Sequence, residues 1–282
     1  MSAPLYGLVL TGGRSRRMQR DKAGLEYAGQ PQLVRALGLL EPLVANTFIS
    51  VRTDQLHDPQ RSAYPRIVDL LPDAGPIGGI QAALRAHPRA AWLVLACDLP
   101  FLDAATLQQL IAAREPRRLA TAYRSSHDGK PEPLCAIYEP ASLAAIDRWL
   151  ASGQQCPRGF LAQADVTLLA LRNPQALDNI NTAAEYAAAQ QQLRRETRQA
   201  DTPRVIKVQY FALLREQAGR SSETVTSRAI DARELYGELQ LARGLKLRPE
   251  QLRVAINEEF ADWSQSLADG DSVVFLPPVA GG

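Results

Sequence analysis

The amino-acid sequence predicts two domains, an open α/β sheet with helices on both faces and, after it, a small α+β domain. Over residues 1–193, short apolar runs alternate with segments whose apolar residues recur at helical spacing. The polar stretch 194–203 lacks apolar periodicity, ends in Pro203 and is predicted to be a linker. A fresh pattern of strands and short helices then occupies residues 204–282.

The first domain begins with an apolar run at residues 6–10 that ends at glycines, which is typical of a buried parallel strand. Leu33, Leu37 and Leu40 follow at helical spacing, and Asp103 is a predicted N-cap of a later helix. Four more apolar runs are predicted strands: 47–51, 92–96, 119–123 and 134–138. Strands that alternate with helices indicate an open sheet covered on both faces.

The second domain is predicted from strands and helices that follow one another with short connections along the chain. Its strands are expected at 205–211, 253–256 and 272–276. A short helix that begins at Leu213 should end at Gly219, and a longer one should run near 231–243. A domain of this size can fold alone.

The composition excludes several functional classes. The chain has 282 residues, 46% hydrophobic and 22% charged, with a net charge of +2, so it lacks the strong charge expected of a protein that binds nucleic acid or membranes. Three cysteines and three scattered histidines form neither a disulfide framework nor a zinc site, which leaves magnesium held by carboxylates and phosphate. No signal peptide or apolar span is evident, and a cytoplasmic protein is expected.

A glycine-rich loop with many cations follows the first strand, in Leu10-Thr-Gly-Gly-Arg-Ser-Arg-Arg-Met-Gln-Arg-Asp-Lys22. Its glycines allow the backbone to approach a ligand closely, and its cations would be neutralised by a triphosphate. The spacing is neither that of a P-loop nor G-x-G-x-x-G. A solvated basic loop is the alternative from the glycines alone.

This loop resembles the signature loop of the molybdenum cofactor guanylyltransferases, in the residues Leu10-Thr-Gly-Gly-x-Ser-x-Arg-Met-x-x-Asp-Lys22. Three further pieces match that family in order: Asp69 with Gly75-Pro-Ile-Gly-Gly79, then Cys97-Asp98-Leu-Pro100, then Asn179-Ile-Asn181-Thr182. The resemblance covers residues 5–190. It implies a Rossmann-like nucleotidyltransferase domain with a mostly parallel sheet.

The resemblance also implies roles for individual residues. The backbone of Leu10, Thr11, Gly12 and Gly13 would contact the nucleobase and ribose, and Asp69 would help to bind guanine. Arg17 and Lys22 would hold the triphosphate, Asp98 would ligate Mg²⁺, and Asn179 and Asn181 would lie near the molybdopterin acceptor. GMP would pass from GTP to molybdopterin, in its molybdenum-loaded form, and pyrophosphate would leave.

Each of these motifs has a purely structural alternative. Asp98 could end a strand, Gly75-Pro76 could open the helix through Leu84, and Thr182 could be an N-cap. Two positions also depart from the family pattern. Gln19 replaces a glycine of the loop, and Arg52 stands where an asparagine that contacts guanine is expected. Guanine is therefore favoured and cytosine stays open.

The C-terminal tail is Leu276-Pro-Pro-Val-Ala-Gly-Gly282. Its two prolines stiffen the backbone, and its two final glycines carry no side chains. Such a tail could enter a narrow channel and present the carboxylate of Gly282. A frayed terminus is the alternative. With Val208-x-Tyr-Phe-Ala-x-Leu-Arg-Glu216 and Val254-Ala-Ile-Asn257, the tail resembles the small, sulfur-carrying subunit of molybdopterin synthase, a ubiquitin-like β-grasp protein.

This second resemblance implies a carrier without catalytic residues of its own. An adenylating activating enzyme would act on Gly282, and the thiocarboxylate formed there would deliver sulfur within the large subunit of molybdopterin synthase. Proteins of molybdenum insertion and molybdoenzyme maturation are further expected partners. The alternatives are a cytidylyltransferase, a sugar-phosphate nucleotidyltransferase, an inactive N-terminal binding module, and a thiamine-type sulfur carrier.

Overall fold

A computed structural model of the chain describes residues 2–12, 22–71 and 74–277. The chain divides into two compact units, Met1–Leu193 and Arg194–Gly282, called here the N-terminal and C-terminal units. Among the described residues, no helix combines the length and the apolar character needed to cross a bilayer.

The N-terminal unit alternates strands with helices. Its strands are β1 Leu5–Leu10, β2 Glu26–Tyr27, β3 Gln30–Pro31, β4 Thr47–Val51, β5 Arg66–Val68, β6 Ala91–Ala96, β7 Ala120–Arg124, β8 Pro131–Tyr138 and β9 Val166–Ala170. Its α-helices are α1 Gln32–Leu40, α2 Pro59–Ser62, α3 Pro76–Ala86, α4 Ala104–Ala112, α5 Ser142–Ala151, α6 Pro157–Gln163 and α7 Ala183–Asp201. Short 3-10 helices lie at Lys22–Gly24 and Thr53–Gln55.

Seven strands form the central sheet of this unit in the order β5-β4-β1-β6-β8-β7-β9. The strands from β5 to β6 are parallel, β8 is antiparallel to both of its neighbours, and β7 is parallel to β9. Strand β6 is buried along its whole length, as expected for a strand covered on both faces. The predicted mostly parallel α/β sheet is confirmed.

Helices cover both faces of this sheet, and each face has its own apolar core. Leu33 and Leu37 of α1 pack with Leu107 of α4 on one face. Ile77 of α3 and Ile146 of α5 pack on the other. Asp103 caps α4 as predicted, since its carboxylate accepts from the Thr106 amide at 2.7 Å.

The shortest and most exposed strands of the unit were not predicted from the sequence. The β2–β3 hairpin has two residues in each strand, and β5 has three. Strand β9 lies at the edge of the sheet and is only partly buried, so its sequence carries no clear alternation. Periodicity needs several residues with one buried face, and these strands lack it.

The segment predicted as a linker, 194–203, is helical over most of its length, because α7 continues to Asp201. Alanine, glutamine, arginine and glutamate are all good helix formers, so the helix does not need an apolar stripe to extend. Pro203 then ends it, as expected for a residue without an amide hydrogen. The domain boundaries themselves stay a prediction.

The C-terminal unit is a five-stranded mixed sheet packed against a helix. Its elements are β10 Arg204–Tyr210, α8 Ala212–Ala218, β11 Ser222–Ser227, α9 Ala232–Arg243, β12 Arg253–Ile256, β13 Glu259–Ala261 and β14 Ser272–Leu276, with a 3-10 helix at Pro249–Gln251. The strand order is β11-β10-β14-β12-β13, and β10 pairs in parallel with β14. Leu235 and Leu239 of α9 pack against Val208 and Phe275. The predicted β-grasp arrangement is confirmed, and β11 and β13 are edge strands that were missed.

Candidate functional site

Four parallel strands deliver the predicted site residues to one edge of the N-terminal sheet. Thr11 and Gly12 follow β1, Arg52 follows β4, Asp69 follows β5, and Asp98 lies two residues beyond β6. The chain connections diverge on either side of β1, which pairs with β4 on one side and β6 on the other. Open α/β sheets bind ligands in the crevice at such a point.

Gly12 lies between Asp69 and Arg52. A Cβ atom on Gly12 would come within 3.2 Å of Asp69 Oδ2 and 3.5 Å of Arg52 Cγ. Arg52 donates to the Gly12 carbonyl and holds Asp54 with a fork of two hydrogen bonds, at 2.9 and 3.0 Å. The residue that stands in place of the expected asparagine therefore supports the start of the glycine-rich loop.

Asp69 is held close to β4. Its amide donates to the Val51 carbonyl, and its Oδ1 accepts from the Ser50 hydroxyl. Burial raises the pKa of Asp69 above its usual range, although the Ser50 hydrogen bond and the Arg52 charge act in the opposite direction. A partly buried carboxylate with a raised pKa at the end of a parallel strand is typical of a ligand-binding group.

Gly75 and Pro76 open α3, so the structural alternative for this motif is correct. Gly75 has φ of +65°, which favours glycine, and Pro76 occupies the first helical position. Gly79, one turn on, approaches the site itself. A Cβ atom there would lie 2.5 Å from Ser50 Oγ and 3.1 Å from Asp69 Oδ1. The glycine thus allows α3 to pack against the residues that hold Asp69.

Replacing Gly79 with alanine should destabilise the N-terminal unit by about 1–3 kcal/mol and displace Asp69. The new methyl group would overlap the Ser50 hydroxyl, which already donates to Asp69. Urea denaturation followed by tryptophan fluorescence measures the loss. Gly38→Ala is the matched control, because Gly38 lies in α1 with no atom within 4 Å of its Cβ position. That variant should gain about 0.5–1 kcal/mol, and equal losses in both would contradict the prediction.

Asp98 lies in a loop that α1 supports from behind. Gln32 donates to the Leu99 carbonyl at 3.1 Å, and Arg35 donates to the Pro100 carbonyl at 3.0 Å. One carboxylate oxygen of Asp98, Oδ1, is shielded from solvent. The loop is therefore fixed by two long-range hydrogen bonds, and the carboxylate has a defined place at the end of β6.

The Asn-Ile-Asn-Thr segment lies directly beside Asp98, since the Ile180 amide donates to the Asp98 carbonyl at 3.3 Å. Thr182 caps α7, as the structural alternative predicted: its hydroxyl accepts from the Glu185 amide at 3.2 Å. Glu185 reaches back to the amides of Asn181 and Thr182 and completes a capping box. The cap holds Asn179 and Asn181 next to the metal-binding candidate.

Three predicted site residues lie outside the described part of the chain: Gly13, Arg17 and Gly282. Gln19, which departs from the family pattern, lies outside it as well. Lys22 begins the 3-10 helix Lys22–Gly24, but its side chain is not described. Within the described residues, no group of three histidine, cysteine or acidic side chains is arranged around a common metal position.

Two residues of the site, Ser50 and Arg61, were not predicted from the sequence. Both reach the site through contacts distant in sequence, Ser50 to Asp69 and Arg61 to Thr11. Arg61 lies in the short helix α2, which carries no recognisable motif. Nothing in the local sequence distinguishes it from a solvated surface arginine.

A comparison with protein-family models identifies both halves of the chain. The family described as MobA-like NTP transferase domain matches residues 7–168. The chain belongs to the MobA-like NTP transferase family. Residues 208–282 match the ThiS family. The two resemblances predicted from the sequence are therefore confirmed, and so is the prediction of a nucleotidyltransferase.

Curated relatives align with more than half of the chain. The "Molybdenum cofactor biosynthesis bifunctional protein" of Synechocystis sp. is 38% identical over 183 residues, which cover 65% of this chain and 53% of that protein. The chain thus spans about half the length of this relative. The "Probable molybdenum cofactor guanylyltransferase" of Opitutus terrae is 37% identical over 57% of this chain and 79% of its own length.

Solved structures share the fold of the N-terminal unit. Molybdopterin-guanine dinucleotide biosynthesis protein A from Archaeoglobus fulgidus has a TM-score of 0.57 at 24% identity, covering 67% of this chain and 99% of its own. A nucleotidyl transferase from Methanothermobacter has a TM-score of 0.58 at 14% identity, covering 68% and 99%. At these identities the likeness concerns the fold.

Proposed function

We propose that the N-terminal unit transfers GMP from GTP to molybdopterin and releases pyrophosphate. The observation that carries the proposal is the common edge of the sheet, where Gly12, Asp69 and Asp98 follow three parallel strands. A nucleotidyl transfer requires three groups at one place: backbone amides that donate hydrogen bonds, a carboxylate that binds the base and a carboxylate that binds a metal ion. The names of the curated relatives supply the nucleotide and the acceptor.

Asp98 fits a magnesium ion bound together with a triphosphate. Mg²⁺ takes one or two protein carboxylates and completes its shell with phosphate oxygens and water, so one fixed aspartate suffices. When bound there, the ion would neutralise charge on the triphosphate and on the departing pyrophosphate. Arg17 and Lys22, which follow Gly13 in the sequence, would add positive charge on the side of the nucleotide.

Guanine is the base that the described residues favour. Its Watson–Crick edge presents two neighbouring donors, which suit the carboxylate of Asp69, beside an acceptor that suits a backbone amide such as that of Gly12. Leu10, Thr11 and Gly13 would complete the contacts to the base and ribose. Arg52 is compatible with this arrangement, because its guanidinium supports the Gly12 carbonyl and Asp54.

The acceptor would approach from the side of Asn179 and Asn181, which the α7 capping box holds beside Asp98. Its terminal phosphate would attack the α-phosphorus of GTP, and the bond to pyrophosphate would break. The nucleophile is an ionised phosphate, so the reaction needs no general base from the chain. Amide side chains are suitable for this side, since they can both donate to and accept from a polar heterocycle.

The C-terminal unit would act as the sulfur carrier of the same pathway in the cytoplasm. An activating enzyme would adenylate the carboxylate of Gly282, and a sulfide-level sulfur donor would displace AMP to form a thiocarboxylate. The thiocarboxylate would supply sulfur to the large subunit of molybdopterin synthase. The match of residues 208–282 to the ThiS family supports this role. Proteins that insert molybdenum would supply the molybdenum-loaded acceptor, and proteins that mature molybdoenzymes would receive the product of the N-terminal unit.

The decisive experiment measures pyrophosphate release from GTP, CTP and ATP with Mg²⁺ and molybdenum-loaded molybdopterin. Release with GTP at least tenfold faster than with CTP supports the guanylyltransferase. A preference for CTP would replace it with a cytidylyltransferase of the same acceptor. No release from folded protein with any nucleotide would reduce the N-terminal unit to a binding module beside the carrier.

A further inference from the structure

Arg61 is a fully buried charge that the proposed mechanism does not use. The residue is 0% exposed in the short helix α2. Nε donates to the Thr11 hydroxyl at 3.2 Å, Nη2 donates to the Thr11 carbonyl at 3.3 Å, and Nη1 pairs with Asp58. A buried guanidinium carries a large desolvation penalty, so the fold tolerates it only where such contacts are made.

Thr11 is fixed from several sides. Its hydroxyl donates to the Ser50 carbonyl at 2.6 Å, and its amide donates to the same carbonyl at 3.2 Å. Its own carbonyl accepts from Gln55 Nε2 at 3.4 Å in addition to Arg61. The plane of the peptide between Thr11 and Gly12 is therefore set by groups behind the loop, on the side of α2.

The direction of this carbonyl decides where the next amide points. The described peptide bonds are all trans, and in a trans peptide the C=O and N–H bonds point in opposite directions. Because the Thr11 carbonyl is directed to Arg61, the Gly12 N–H is directed away from it. Gly12 is also the residue that lies against Asp69 Oδ2. A donor and an acceptor are thus offered side by side at the edge of the sheet.

We infer that Arg61 is a positioning residue for the nucleotide, acting through the Thr11–Gly12 peptide. Arg61 is shielded from the ligand and orients the Gly12 N–H toward the nucleobase, while Asp58 holds the guanidinium in place. Asp58 also caps α2 by accepting from the Gln60 amide at 2.9 Å, so the helix and the arginine are anchored together. This inference rests on the proposed nucleotidyl transfer and extends it to a residue that does not touch a substrate.

The test is Arg61→Lys, which keeps the charge but cannot make the planar fork to two atoms of Thr11. Steady-state kinetics should give a nucleotide KM raised about tenfold, kcat within twofold of the wild type, and an unchanged acceptor KM. A merely structural role would lower kcat through a smaller folded fraction and leave the nucleotide KM alone. Arg66→Lys is the matched control, since Arg66 also donates to a carbonyl, that of Leu56, but not at Thr11.

A second variant covers the case in which Arg61→Lys does not fold. Asp58→Asn removes the ionic partner and can still cap α2, and it should raise the nucleotide KM about threefold. An unchanged nucleotide KM in folded Arg61→Lys, or in Asp58→Asn if the first variant is unfolded, overturns the inference. Calorimetric titration with GTP makes the same comparison without catalysis. Failure of the proposed function would show instead as wild-type protein that binds GTP and releases no pyrophosphate.

Discussion

Replacing Asp98 with asparagine should lower the rate of pyrophosphate release by about 10³-fold. The side chain keeps its shape but loses the negative charge that makes a carboxylate a strong ligand of Mg²⁺. The loop itself should survive, because Gln32 and Arg35 hold it through the carbonyls of Leu99 and Pro100. The measurement is the initial rate at saturating GTP and Mg²⁺, with circular dichroism to establish that the variant is folded.

Asp103→Asn is the matched control for this variant. It removes the same charge five residues along the chain, and asparagine caps a helix as well as aspartate does, so α4 should keep its hydrogen bond to the Thr106 amide. Its rate should stay within twofold of the wild type. Similar losses in both variants would mean that charge at this edge matters in general, and a fully active Asp98→Asn would remove Asp98 from the metal site.

Replacing Arg114 with methionine should destabilise the N-terminal unit by about 3–5 kcal/mol. Arg114 binds Glu139 with two hydrogen bonds, at 2.6 and 2.9 Å, and also donates to the Ala3 carbonyl at 2.9 Å. The Glu139 side chain is only 2% exposed. The substitution would leave its carboxylate buried without its cation, which is the costly way to break such a pair.

Arg118→Met is the control, because Arg118 pairs with Asp165 on the surface, where the two side chains are 49% and 60% exposed. A pair of this kind contributes about 0–1 kcal/mol. Urea denaturation of both variants in a Trp263→Phe background follows the N-terminal unit alone, through Trp92 and Trp149. Equal destabilisation by the two substitutions would contradict the role assigned to burial.

The prediction of two activities in one pathway was made from separate parts of the chain. The glycine-rich loop with its three later motifs indicated a nucleotidyltransferase, and the tail with its opening strand indicated a sulfur carrier. The two family matches fall on the same two parts, at residues 7–168 and 208–282. Under the proposed function, both parts would serve molybdenum cofactor synthesis.

The sequence by itself determined the elements whose information is local. Each of these elements is a pattern of only a few residues: the apolar runs of β1, β4 and β6, the Asp103 cap and the individual site motifs. Burial of a strand on both faces demands a continuous apolar run, and a cap demands one side chain at one position. The same local rules did not predict that α7 extends through the expected linker to Asp201, since polar helix formers leave no periodic pattern.

Only the tertiary structure decided which of these residues share a site and what supports them. Three features join parts of the chain that are far apart in sequence. They are the antiparallel pairing of β8 with β6, the close approach of Gly79 to Ser50 and Asp69, and the burial of Arg61 next to Thr11. An arginine in a four-residue helix has the same local pattern whether it faces solvent or the back of a binding loop. Its role follows from the packing of α2 against the end of β1, and packing is a property of the whole fold.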